Sequence, residues 1–135
     1  MNILGISGTP RKGGNSEILL DTALEPFVEA NWDVTRILLS EKTVQPCTGC
    51  DACVESQTCR IDDDMHAIYC AYEQCDAIII SAPAYWRNVP AQLKAVIDRP
   101  HVRKQKWRAQ RQAGWRHGRR SGSGRRPGHG HQYHL

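Results

Sequence analysis

No acidic residue follows Asp98 in this chain of 135 residues. All fourteen acids fall in 1–100 beside eight of the eighteen lysines and arginines, a net charge of −6, while the other ten basic residues fall in 101–135. The overall charge of +4 is therefore that of an acidic domain joined to a basic tail. Also absent is any apolar run near the ~20 residues a membrane helix needs, so no span is expected. Met1-Asn2 leads straight into Ile3-Leu4-Gly5-Ile6 without a basic start or a cleavage site, so no signal peptide is read and a cytoplasmic protein is expected. In a reducing compartment, six cysteines point to metal, cluster or free thiols before disulfides. The length suits one domain with one core.

What is present is an alternation of short apolar runs and helical patterns. Asn2 to Ser7 reads as a buried strand ending in Gly8-Thr9-Pro10 and Gly13-Gly14. Asn15 or Ser16 offers a cap for a helix in which Ile18, Leu19, Thr22, Ala23, Phe27 and Val28 recur at helical spacing, with a kink or early stop expected at Pro26. Val34 to Leu39 is a second strand, and Asp62 to Asp64 open a helix to about Gln74 that packs through Met65, Ile68, Tyr69 and Tyr72. Ala77 to Ser81 is a third strand, its Ile78-Ile79-Ile80 implying burial on both faces. Pro90 begins a further helix with Leu93, Val96 and Ile97 on one side. This order predicts a doubly wound parallel α/β sheet arranged 2-1-3. From His101 the pattern stops, and disorder is expected over 101–135.

Three loops carry chemistry. After the first strand, small hydroxyl and amide residues meet the N-terminus of a helix, which suits one phosphomonoester or simply a well-capped turn; the P-loop and dinucleotide spacings do not fit. After the second strand comes Cys47-x2-Cys50-x2-Cys53-x5-Cys59, whose overlapping gaps suit a cubane cluster better than the two separated pairs of a structural zinc site. After the third, Pro83-Ala84-Tyr85-Trp86 brings aromatics to the crevice, either to border a flat ring or to cap the core. Cys70 and Cys75 read as small buried hydrophobes, and His66 is given no role.

Ser7-x-Thr9-Pro10-Arg11 with Gly14-Asn15-Ser16, the cysteine run, Ser81-Ala82-Pro83-Ala84-Tyr85 and Pro90-Ala91-Gln92-Leu93-Lys94-x3-Asp98-Arg99 together resemble the iron-sulfur flavoprotein family, within the NADPH-dependent FMN reductases. The resemblance covers residues 2 to 99 and implies a flavodoxin-like, three-layer α/β/α fold lacking its last two strands. It implies FMN phosphate on Ser7, Thr9, Arg11, Asn15 and Ser16, the isoalloxazine against Pro83, Ala84, Tyr85 and Trp86, and a [4Fe-4S] cluster on Cys47, Cys50, Cys53 and Cys59. The implied function is electron passage between cluster and FMN in a homo-oligomer, with ferredoxin or NAD(P)H as redox partner and no catalytic acid, base or nucleophile in the protein. An FMN-dependent NAD(P)H reductase whose cysteines hold zinc or nothing is the alternative.

The tail offers a third reading, a nucleic-acid-binding arm with Trp107 and Trp115 to stack on bases. A shifted reading frame is preferred, because Arg, Gly and Trp share codons ending in GG and a glycine-rich stretch read out of phase gives this mixture; a nucleic-acid partner is not expected. Without two further strands, strand 3 becomes an unprotected edge, which predicts weakened FMN binding and self-association.

Overall fold

The computed structural model describes residues 1–99. The disorder, the nucleic-acid arm and the shifted frame expected of 101–135 lie outside the described residues.

β1 (Asn2–Ser7) is the central strand, with β2 (Asp33–Leu38) on one side and β3 (Ala77–Ser81) on the other, all parallel, in the order β2-β1-β3. Ile6 pairs with both Ile37 and Ile80, and Ser7 with both Leu38 and Ser81, so the strands end together. The helices are α1 (Asn15–Glu29), α2 (Ala52–Ser56), α3 (Met65–Gln74) and α4 (Ala91–Asp98), with a 3-10 turn over Leu39–Glu41. Period-two alternation along β1 sorts its side chains between two cores. Leu4 and Ile6 join Ile37, Leu39, Met65, Ile68, Tyr69, Leu93 and Val96 against α3 and α4, while Ile3 joins Leu20 and Leu24 of α1. The result is the expected three-layer arrangement, with three strands among the described residues.

Gly5 faces α1 and sets how closely that helix lies. A Cβ there would stand 2.6 Å from Leu24 Cδ1, inside any real contact distance. This close approach selects the buried stripe of α1, which is Glu17, Leu20 and Leu24 with Phe27 partly covered. The expected stripe is corrected accordingly: Ile18, Leu19 and Val28 are 60%, 63% and 58% exposed. Helical spacing admitted both stripes, and the packing of Leu20 and Leu24 over Gly5 and Ile3 separates them. The cap is Gly14, without a side-chain cap bond, and α1 continues to Glu29 past Pro26. Proline is tolerated so late because its one missing bond would go to exposed Thr22, while its own carbonyl still accepts from Ala30 N–H at 3.1 Å.

Four smaller corrections follow. Among the described residues β3 lies at the edge of the sheet, and Ile80 is 45% exposed rather than buried on both faces. In α4, Ala95 is buried in place of the expected Ile97, which is exposed. Cys70 is exposed on α3, whereas Cys75 packs partly buried against the larger core. Finally, α3 starts at Met65, because the aspartates before it are committed to the loop described below.

Candidate functional site

β1 ends in a buried serine. Ser7 Oγ is fully covered and has no hydrogen-bond partner, an orphaned hydroxyl where the first loop begins. Gly8 N–H then donates to Ser81 O at 2.8 Å, tying the loop after β1 to the end of β3. A Cβ on Gly8 would meet Leu93 Cδ2 at 2.7 Å, so α4 also seats against this join. Further along, Arg11 N–H donates to Thr9 Oγ1 at 3.2 Å, and Gly13 N–H donates to Glu17 Oε2 at 2.9 Å. Glu17 is thus a buried carboxylate that reaches back from the first turn of α1 to hold its own entry loop, a role the sequence reading missed. Its signal was an acid three residues after the cap.

Across this join lies a cavity of about 290 Å³ lined by Thr9, Arg11, Gly14, Asn15, Ser16, Pro83 and Tyr85. Thr9, Arg11, Asn15, Ser16, Pro83 and Tyr85, expected on two separate loops, are therefore brought together. The guanidinium of Arg11 and the N-terminus of α1 give it a positive character suited to a phosphate.

Ser7, Ala84 and Trp86, also expected at the FMN site, are not among the lining residues. Tyr85 and Asn88 exchange backbone hydrogen bonds at 2.7 and 2.9 Å, closing a two-residue turn in which Trp86 and Arg87 have φ of 46° and 65°. Left-handed backbone at two non-glycine residues costs about 1–2 kcal/mol each. The turn holds Trp86 at its tip, 99% exposed, so neither Trp86 nor the exposed Tyr85 caps the core.

The cysteine loop leaves the 3-10 turn after β2 and returns to α3. Its base is stapled on both sides. Asp64 Oδ2 accepts from Thr43 N–H at 2.7 Å, Asp63 Oδ2 from Gln45 N–H at 2.8 Å, and Asp63 Oδ1 from Met65 N–H at 3.1 Å. Arg99, at the end of α4, donates from Nη1 to Gln45 O at 3.0 Å and to Asp63 Oδ2, and from Nη2 to Ile61 O at 3.5 Å and Cys59 Sγ at 3.3 Å. Tyr69 OH anchors the same residue by donating to Arg99 O at 3.0 Å. Burial works against the charge on Asp63, yet Arg99 and the two backbone donors hold its carboxyl below the usual range. Sequence reading took the aspartates for an ordinary helix cap and assigned Arg99 no role.

Above this base, Cys47, Cys50, Cys53 and Cys59 line one hollow of about 210 Å³, together with Arg60, Ile61, Asp98 and Arg99. Left-handed residues bend the loop around it: Gly49 (φ 66°), Asp51 (φ 53°) and Gln57 (φ 53°), the last two flanking α2. The thiols are unequal. Ala52 N–H and the Thr48 hydroxyl lower the pKa of Cys50, whereas burial raises that of Cys53. Gly49 N–H donates to Cys47 Sγ at 3.5 Å. No three His, Cys, Asp or Glu side chains among the described residues converge on a point where a single metal ion would sit. Four thiols lining one hollow are the donor set that an iron-sulfur cluster would use.

A parallel sheet ordered β2-β1-β3, with a cavity across the ends of β1 and β3, defines a flavodoxin-like α/β protein. A solved flavone reductase has the same fold, with a TM-score of 0.62 over 91% of this chain and 38% of that one, at 21% identity. The chain belongs to the NADPH-dependent FMN reductase family, whose model matches residues 1–135. It is 46% identical over 99 residues to an iron-sulfur flavoprotein of Methanosarcina thermophila, a match covering 73% of this chain and 52% of that protein. An iron-sulfur flavoprotein of Archaeoglobus fulgidus is 39% identical over 73% of this chain and 45% of its own length. Another, from Methanocaldococcus jannaschii, is 39% identical over 73% and 51%. The chain thus spans about half the length of these relatives.

Proposed function

We propose that the chain is a redox flavoprotein that passes electrons between FMN, held across the ends of β1 and β3, and a [4Fe-4S] cluster held by Cys47, Cys50, Cys53 and Cys59. One observation carries the reading: four thiols line a single hollow on the loop between the two elements that supply the FMN cradle. When bound, FMN exchanges one or two electrons and the cluster one, so the pair couples carriers of different electron number.

The residues divide the work. Thr9, Asn15 and Ser16 offer hydroxyl and amide groups to the phosphate, Arg11 with the N-terminus of α1 offsets its charge, and the covered Ser7 hydroxyl would need the loop to open before it could join them. Pro83, Ala84, Tyr85 and Trp86 border the ring. The left-handed turn fixes Trp86 beside Tyr85, ready to cover that ring from outside the cavity. Lys12 pairs with Glu41 at 3.1 Å, linking the phosphate loop to the turn that precedes the cysteines. Ferredoxin or NAD(P)H is the external partner, the working form is a homo-oligomer, and a cytoplasmic setting suits six free thiols. The names of the relatives support the cluster over a zinc-bound or cluster-free reductase.

Anaerobic loading of the full chain with ferrous iron, sulfide and FMN tests the reading. Equal iron and sulfide with one FMN per chain is expected. Cys53→Ser should lose iron and sulfide yet keep FMN, and Arg11→Ala should do the reverse. Uptake of zinc in preference to iron and sulfide would sink the cluster assignment.

A further inference from the structure

Arg99 is 2% exposed, and its side chain and that of Asp63 are 1% and 2% exposed. A buried guanidinium needs a reason, because its desolvation is costly unless every donor is used. Here Nη1 is taken by Asp63 and Gln45 O, and Nη2 points at Ile61 O and the Cys59 sulfur, while Nε is buried without a partner. The fork is planar and always charged, so the clamp at Nη1 fixes the direction of Nη2. Arg99 also lines the hollow that the four thiols share.

We propose that Arg99 is a positioning residue for the cysteine site: held by Asp63, it directs an N–H donor and a fixed positive charge at the Cys59 sulfur and makes the cofactor on the four thiolates easier to reduce. This rests on the cluster reading above. Reduction adds one electron and one negative charge to the site, and a nearby positive charge with an N–H···S bond stabilises the more negative state. Asp63 acts in the opposite sense through its own charge, so the two partners bias the potential in opposite directions.

The test is a potentiometric titration of the full chain, loaded with iron and sulfide, using dithionite as electron donor. Arg99→Gln should lower the equilibrium constant for one-electron reduction about tenfold, a shift of ~59 mV for a one-electron couple. Asp63→Asn, which keeps an acceptor for Gln45 N–H, should shift it the other way, and Arg99→Lys should retain part of the wild-type value. Should Arg99→Gln fail to fold, Asp63→Asn and Arg99→Lys decide the matter. Opposite signs support the proposal, because mere damage to the loop would move both variants the same way. Loaded variants with the wild-type potential, or shifts of one sign, overturn it. A wild-type chain that takes up no iron and sulfide overturns the cluster reading, and this proposal with it.

Discussion

The phosphate cradle and the cysteine loop are built by different means. The cradle stands on the ends of two hydrogen-bonded strands, with Ser7 and Thr9 buried, Gly8 N–H bonded across to Ser81 and Leu93 packed beneath. The cysteine loop is stapled at its base by Asp63, Asp64 and Arg99 and rests Cys53 and Cys59 against the core, while Cys47 and Cys50 are exposed and α2 buries no residue. Backbone pairing forms the first site before any ligand arrives. Side-chain ionic contacts form the floor of the second, and two of its four thiols stand exposed above that floor.

Substitutions can break or sharpen that contrast. The largest effect is expected at the staple. Asp63→Ala leaves the Arg99 charge buried and unpaired, so a loss of about 3–5 kcal/mol is expected in urea denaturation. Protease cleavage should then rise within 45–61 first, with the loop after β1 still protected. Cleavage that starts in the phosphate loop would erase the distinction.

Next in size, Gly5→Ala forces the added methyl group against Leu24, at an expected cost of about 1–3 kcal/mol in the same measurement. This damage lies under α1 and should weaken FMN uptake while iron and sulfide loading is retained. Equal loss of both would show that the sites are not independent.

The staple also sets an acid limit. Asp63 titrates below its unfolded value, so its stabilisation is complete above about pH 4 and is lost as pH falls through the lower folded value. Thermal melts below pH 4 should therefore show a flatter pH dependence for Asp63→Asn than for the wild-type chain. The smallest effect is expected at the exposed turn. Arg87→Gly relieves a left-handed residue and should raise stability by about 1 kcal/mol, without changing either loading ratio.

Much of this was legible in the chain. The three strands and their order follow from short apolar runs alternating with helical patterns, that topology brings the loops after β1 and β3 to one crevice, and the family resemblance named Thr9, Arg11, Asn15, Ser16, Pro83 and Tyr85 within them. The buried face of α1 was not legible, since Ile18, Leu19 and Val28 are as apolar as Leu20 and Leu24 and the choice depends on how near Gly5 lies. Arg99 was hidden for another reason. Its partners Asp63 and Cys59 are 36 and 40 residues away, and neither propensity nor spacing records a contact so distant.

That distance imposes a timetable on synthesis. Cys59 is translated 40 residues before the guanidinium that donates to it. At typical elongation rates the interval is about 2–8 s. Until α4 is complete, the nascent thiols have no arginine at their base. An iron donor acting on the ribosome-bound chain would therefore meet the four thiols before Arg99 could close beneath them.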